Sequence, residues 1–189
     1  GHLGATMMGA VNMTDTMMNL GTLFTFAMAG GACVMVGKAV GEQDMEKVQA
    51  YSRTIQGLFA IIGVVMALIV IGVRWLFVGL YGQPEDVEQL AGLMILIGAI
   101  TMMGTSYHAS CFVGINRGAG DNRFVMMVDL ICGWLVVLPL TYLAAFVLPI
   151  PDGWKLPVVF LCTRIDQCFK WIIAFFRLRG NKWIKHVTR

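Results

Sequence analysis

The sequence predicts an all-α integral membrane protein with five transmembrane helices. Hydrophobic residues make up 58% of the 189 residues and the mean hydropathy is +0.74, which is more apolar surface than a soluble core can bury. The apolar residues form five continuous blocks, each long enough to cross a bilayer. In hydrocarbon such blocks must be helical, because every backbone N–H and C=O group needs a partner within the chain.

The predicted spans are residues 10–37, 54–80, 90–114, 124–148 and 156–178. A glycine-bearing turn at 37–41 ends the first span, and residues 42–53 are expected to form a short amphipathic helix that leads into the second. The second span ends at a Tyr-Gly-Gln-Pro turn, 81–84, and the third ends at a glycine-rich loop, 114–121. Pro139 is expected to kink the fourth span.

The basic residues of the connectors collect on one side of the predicted bundle. Lys and Arg residues occur in the 38–53 and 115–123 connectors and in a basic tail, 179–189, whereas the 81–89 connector is acidic. Because basic loops remain cytoplasmic, we expect these two connectors and the C-terminal tail to face the cytoplasm from the plasma membrane. An odd number of spans with the N-terminus outside suggests a part of a longer protein.

Several classes of function are disfavoured by what the chain lacks. Five spans leave no room for a catalytic domain, and the HExxH and GxSxG motifs of hydrolases are missing, so we expect no enzyme. The five cysteines lie inside apolar blocks without CxxC pairing or a histidine at ligand spacing, so we expect neither a metal site nor a cofactor. The expected partner is the lipid bilayer, and no nucleic acid.

Polar residues line one face of the first span. Asn12, Asp15, Asn19 and Thr22 follow one another at steps of three, four and three, which places them on the same side of a helix. A carboxylate between two amides and a hydroxyl suits a proton, a sodium ion or a cationic substrate. The alternative is a polar seam that neighbouring helices satisfy.

In the third span, His108 shares a helix face with Thr101 and Thr105. An intramembrane histidine titrates near neutral pH and can relay protons. A lone histidine also often forms a hydrogen bond across a helix interface, and both interpretations stay open.

The fifth span carries an acid and a base one helical turn apart. Asp166 and Lys170 share a face with Thr163, and such a pair can either neutralise itself or exchange its partner for a proton or a cation during transport. Asp129, close to the inner surface, is expected to reach the interface or to pair with Arg123.

Two inner loops and the C-terminus resemble those of the multidrug and toxic compound extrusion (MATE) family. Residues 36–44, VGKAVGEQD, are similar to the VGQ-x-x-G segment that follows the second helix of a lobe. Residues 114–123, GINRGAGDNR, are similar to the G-x-x-RGAGDTR loop after the fourth helix, and residues 180–189 resemble a common bacterial ending of the family.

The resemblance implies a twelve-helix transporter with two six-helix lobes and alternating access. The chain would supply helices eight to twelve, so residues 1–189 would be a partial C-terminal transmembrane lobe whose partner is the missing N-terminal lobe of the same polypeptide. Such transporters export drugs and other organic, often cationic, compounds in exchange for H⁺ or Na⁺. Family members often carry acids in the first, seventh or tenth helices; the third span here has His108 instead, so the coupling ion stays open.

Two alternatives keep the membrane architecture. Flippases for lipid-linked oligosaccharides have a related two-lobe plan, but they need a more cationic cavity than these nearly balanced charges supply. The isolated chain can also be an inactive fragment, because alternating access requires both lobes.

Overall fold

The computed structural model describes residues 2–180 and 183–184, with the side chains of all these residues except 2–7 and 152. Within these ranges the chain is helical and contains no β-strand, so the predicted all-α membrane fold is confirmed. The predicted basic tail, residues 179–189, falls largely on residues 181–182 and 185–189, which lie outside the described residues.

Seven α-helices and three π-helical segments follow one another along the chain. The first three helices are α1 (His2–Gly41), α2 (Met45–Gly79) and α3 (Glu85–Ala109), and α3 continues as a π-helix over Ser110–Asn116. Next come α4 (Asn122–Ile131), a π-helix over Cys132–Val137, α5 (Leu138–Tyr142) and a π-helix over Leu143–Val147. The described helices end with α6 (Asp152–Arg164) and α7 (Gln167–Arg179).

Four stretches are long and apolar enough to cross a membrane: Met8–Gly41, Met45–Gly79, Glu85–Asn116 and Asn122–Val147. They match the first four predicted spans, of which 54–80 and 124–148 extend one residue beyond the observed stretches. The separate amphipathic helix expected at 42–53 is instead the first part of α2, which runs without interruption from its cap at Asp44, whose side chain accepts a hydrogen bond from the Lys47 N–H at 3.0 Å. The disturbance expected at Pro139 takes the form of π-helical turns on both sides of α5.

The fifth predicted span, 156–178, is divided into α6 and α7 instead of forming a single helix. At the turn between them, the N–H groups of Ile165 and Cys168 donate to carbonyls three residues earlier, at 3.4 and 3.0 Å. The Gln167 carbonyl that follows lies directly against Gly104 of α3. A glycine at this position leaves room for the backbone of α7 to approach α3 closely.

The third span is the centre of the bundle, and α1, α2, α6 and α7 all pack on it. Toward one end the core is rich in methionine, including Met13, Met18 and Met94. Deeper in the bundle the hydroxyls of Thr25 and Ser106 lie 3.3 Å apart and join α1 to α3. The packing therefore holds α3 between four helices, and its polar side chains bond either to carbonyls of α3 itself or to those neighbours.

Candidate functional site

Three charged side chains form a cluster between α4 and α7. The Lys170 Nζ lies 2.8 Å from an Asp166 carboxylate oxygen and 2.9 Å from an Asp129 carboxylate oxygen. The side chains of Lys170 and Asp166 are only 9% and 10% exposed, whereas that of Asp129 is 43% exposed. The predicted contact between Asp166 and Lys170 is present. The expected pairing of Asp129 with Arg123 was wrong, because Asp129 binds Lys170 of another helix, while the alternative that it reaches the interface stays a prediction.

The turn between α6 and α7 positions this charge cluster of Asp129, Asp166 and Lys170. Asp166 ends the turn, and its backbone carbonyl accepts the N–H of Lys170 at 2.9 Å. Asp166 and Lys170 therefore lie on the same side at the start of α7. The Lys170 ammonium extends from there to Asp129 on α4, so it links two helices that are distant in sequence.

Gln167 connects the charge cluster to α3. Its amide nitrogen donates to an Asp166 carboxylate oxygen at 3.0 Å, and its amide oxygen lies 3.1 Å from the Thr105 hydroxyl. The same hydroxyl is 3.0 Å from the Thr101 carbonyl, so two acceptors compete for one proton. A continuous polar path therefore runs from α3 through α7 to α4.

His108 lies beside this path and is buried, with 9% of its surface exposed. One ring nitrogen, Nδ1, lies 3.1 Å from the Gly104 carbonyl of its own helix, and the ring meets Phe112 edge-on at 5.9 Å between centroids. His108 is within electrostatic range of all three members of the charge cluster. The structure thus brings three of the predicted site residues together: His108, Asp166 and Lys170.

The polar face of α1 lies elsewhere. Asn12, Asp15 and Asn19 are exposed, and the side chains of the two asparagines form no hydrogen bond with the described residues. Thr22 is half-buried, and its hydroxyl donates to the Met18 carbonyl of its own helix at 2.9 Å. The predicted face therefore exists as one side of α1, opposite the side that packs on α3.

Arg164 links the two regions electrostatically. It lies near the end of α6, within range of both Asp15 and Asp166, and its guanidinium stacks over the Phe160 ring at 5.2 Å. The helical pattern placed Arg164 away from the Asp166 face, since residues two apart in a continuous helix point about 200° apart. Ile165 and Asp166 keep right-handed helical backbone angles through the turn, and Arg164 forms no ion pair with Asp166 in the described part of the chain.

Sequence reasoning missed the roles of Gln167, Arg164 and Asp129 in this region. The available signal was the polarity of Gln167 and Arg164 within an apolar block. The partner of Asp129 had no local signal, because Lys170 follows it by 41 positions. Among the described residues, no group of three His, Cys, Asp or Glu side chains could hold a metal ion.

The charge cluster has an unequal number of acids and bases. Two carboxylates contact one ammonium, so the three groups by themselves carry one negative charge when all are ionised, and Arg164, within electrostatic range of Asp166, offsets it in part. Charges buried at membrane depth are costly and are retained at ion and substrate pathways. A helical membrane bundle with such a cluster has a feature that is typical of polytopic membrane transport proteins.

Comparison with known proteins agrees with this class. The family model MatE matches residues 1–143, and the chain belongs to the MatE family. The match contains His108 and Asp129 but ends before Asp166 and Lys170.

Several curated relatives are transporters. The chain is 27% identical to the uncharacterized transporter YisQ of Bacillus subtilis, over 86% of the chain and 35% of that protein. It is 30% identical to the probable multidrug resistance protein NorM of Pasteurella multocida, over 65% of the chain and 27% of that protein. For human multidrug and toxin extrusion protein 2 the identity is 27%, over 77% and 25% of the two chains. The chain thus spans about a third or less of these relatives. No solved structure gives a significant match.

Proposed function

We propose that the chain is part of a transporter that exports organic, often cationic, compounds in exchange for H⁺ or Na⁺. Membership of the MatE family supports this proposal, as do the relatives named as multidrug resistance and extrusion proteins. The observation that carries the proposal is the charge cluster, in which buried Asp166 and half-exposed Asp129 share one ammonium, that of Lys170. The rest of the transporter, including an N-terminal lobe, would come from the complete polypeptide.

The unequal charge of the cluster suggests how the ion is coupled. With both carboxylates ionised, Lys170 balances only one of them. A proton on Asp129 or Asp166, or a sodium ion beside them, neutralises the remaining charge. Either event also weakens the contact between Lys170 and that carboxylate. Ion binding thereby changes how strongly α4 and α7 are held together, which is the kind of differential contact that shifts a conformational equilibrium.

The α1 face supplies the substrate side of the proposal. Asp15 is exposed and offers a negative charge to an organic cation, with the amides of Asn12 and Asn19 beside it. Arg164 interacts with both Asp15 and Asp166. A cation that binds at Asp15 weakens the electrostatic attraction between this carboxylate and Arg164. The electrostatic potential at Asp166 changes as a result.

The test is transport by the complete polypeptide in proteoliposomes with an imposed H⁺ or Na⁺ gradient. For Asp166→Asn we expect the imposed ion gradient to stimulate export of a fluorescent cation less than in the wild type, by a factor on the order of ten. This factor corresponds to a typical coupling free energy. Asp15→Asn should instead raise the substrate concentration that gives half-maximal transport. Glu85→Gln serves as a control, because Glu85 is exposed and, within the part of the chain that the structure describes, its side chain hydrogen-bonds to Gln89 alone, at 3.0 Å. Wild-type substrate and ion dependence in both aspartate variants would contradict the proposed sites.

The orientation is part of the proposal. The basic connectors at 38–53 and 115–123 support a cytoplasmic location for this side and for the C-terminus. Alkaline phosphatase is active only outside the cytoplasm of bacteria, so fusions at residues 82 and 120 report on opposite sides. We expect activity at 82 and none at 120, and the reverse pattern would invert the orientation.

A further inference from the structure

A groove with a volume of about 420 Å³ runs along the fourth span. Arg117 lines one end, and Met126, Leu130, Trp134 and Leu138 line its length. These apolar residues repeat every four positions, so they lie on one side of the helix. We call this recess the α4 groove.

The floor of the α4 groove is made by Gly133. This glycine lies in the π-helical segment Cys132–Val137, and a Cβ atom added to it would meet no atom within 4 Å. The neighbouring Trp134 is 67% exposed, and Met126 at the other end of the apolar stretch is 55% exposed. The groove is therefore an open recess on a face that no described helix covers.

The end of the groove is positively charged. Arg117 is exposed, and Arg123, three positions before Met126 on the same side of the helix, is exposed too. Neither arginine forms an ion pair with the described residues. Asp121, which lies between them in sequence, is buried and accepts hydrogen bonds from Arg177 at 2.5 and 3.0 Å.

One acidic side chain, Asp129, also lines the groove. Its carboxylate lies 2.9 Å from the Lys170 ammonium. Asp129 is six residues after Arg123, a distance of about 9 Å along the helix. The distribution is therefore a basic end followed by an apolar length, with the single acid engaged by an ammonium.

We propose that the α4 groove binds an anionic phospholipid. The phosphate would contact Arg117 and Arg123, and one acyl chain would lie along the residues from Met126 to Leu138. That stretch is about 18 Å long, close to the depth of one leaflet of the hydrocarbon core. The phosphate level of the lipid then coincides with the arginines at the end of the span. Basic groups at this level attract anionic headgroups.

Trp134 provides the test, because brominated acyl chains quench tryptophan fluorescence on contact. The complete polypeptide is placed in vesicles that contain either brominated phosphatidylglycerol or brominated phosphatidylcholine at the same mole fraction. The signal of Trp134 is the difference between the wild type and Trp134→Phe. We expect phosphatidylglycerol to be preferred, with about a fivefold loss of preference for each arginine removed in Arg117→Gln and Arg123→Gln.

Three further variants separate lipid binding from general effects on the fold. Replacing both arginines by lysine should retain the preference for phosphatidylglycerol. Gly133→Leu fills the recess and should abolish the preference. Gly72→Leu is its matched control, since Gly72 also lies on an exposed helix face with no atom within 4 Å of an added Cβ, and it should behave like the wild type.

The possible results are distinct. Equal quenching of Trp134 by the two lipids would overturn the proposal in favour of non-selective boundary lipid. An absence of quenching by either lipid would also overturn it, because another part of the polypeptide then covers the groove. The vesicles have the same lipids in both leaflets and need no ion gradient. The result is therefore independent of the proposed transport activity and of the proposed orientation.

Discussion

The polar face of α1 and the charge cluster contain the same kinds of residue but differ in their surroundings. Asp15 is exposed, and its neighbours Asn12 and Asn19 form no side-chain hydrogen bonds with the described residues. Asp166, in contrast, is buried and contacts both Lys170 and Gln167. A polar pattern on a membrane helix can therefore stay exposed or form buried contacts, and the outcome depends on whether another helix packs against it.

The two regions should also differ in what their residues contribute. Buried charges depend on their partners, because an unpaired charge at low dielectric is strongly unfavourable. Exposed polar groups that pack against nothing are nearly neutral for stability. The comparison therefore predicts large stability effects in the charge cluster and small ones on the α1 face, whatever their effects on transport.

The largest effect is expected for Lys170→Met. This change removes the one ammonium in direct contact with buried Asp166 among the described residues and leaves Arg164 only within electrostatic range of it. Breaking a buried ion pair in this way costs about 3–5 kcal/mol. The free energy of unfolding can be measured by SDS titration in mixed micelles. The double variant Lys170→Met/Asp166→Asn should recover most of the loss, because the buried charge has been removed as well.

Lys38→Met is the control for that measurement. The Lys38 side chain is 77% exposed and lies 4.0 Å from Glu42, so its loss should cost less than about 1 kcal/mol. Similar losses for Lys38→Met and Lys170→Met would show that burial does not distinguish the two lysines.

A smaller effect is expected for Gly104→Ala, which tests how α7 is positioned. An added Cβ would collide with the Gln167 carbonyl, and overpacking of this kind costs about 1–3 kcal/mol. Gly57→Ala is the control, since a Cβ there has no neighbour within 4 Å. Thermal unfolding of both variants should show a lower midpoint only for Gly104→Ala. Equal midpoints would mean that α3 and α7 do not approach as closely as described.

Thr105→Val should lower the free energy of unfolding by about 1 kcal/mol, the net contribution of a typical hydrogen bond. The change removes the hydroxyl that lies 3.1 Å from the Gln167 side chain. In Thr22→Val the lost hydroxyl contacts only carbonyls of its own helix, so SDS titration should give a smaller loss. A loss at Thr22 that equals the one at Thr105 would contradict the contact between helices.

The smallest effect on stability is expected for Asp15→Asn, within about 0.5 kcal/mol of the wild type. The Asp15 side chain is exposed. In the variant Arg164 still interacts with Asp166 and still stacks on the Phe160 ring. The same SDS titration measures it. A loss comparable to that of Lys170→Met would show that the α1 face is buried in the complete polypeptide, and the contrast between the two regions would fail.

The sequence was sufficient to predict the all-α membrane class, four long apolar helices and the contact between Asp166 and Lys170. These features depend on hydropathy and on spacing within one helix, which the chain displays locally. The division of the fifth block was not predictable in the same way. No proline or glycine marks the turn at Ile165 and Asp166, and its partner Gly104 lies in another span.

Contacts between different helices were likewise not predictable from the sequence. Asp129 has a nearer cation in sequence, Arg123, yet it binds Lys170 across the α4–α7 interface. Gln167 has no special spacing, yet it joins two helices. Choosing among such partners requires the rotation and the depth of each helix, and one sequence specifies neither.

A second ion pair joins the same two regions of the chain. Arg177 near the end of α7 binds Asp121 at the start of α4, and its guanidinium stacks on Phe124 at 4.3 Å. This contact lies about 10 Å along α7 from Lys170. A single contact between two antiparallel helices fixes their separation at that point but not the angle between them. Two contacts at different positions along the helices fix both. Release of the Lys170 contact alone would therefore leave α4 and α7 joined by the Arg177 ion pair and by the apolar cluster that includes Val125, Val128 and Ala174.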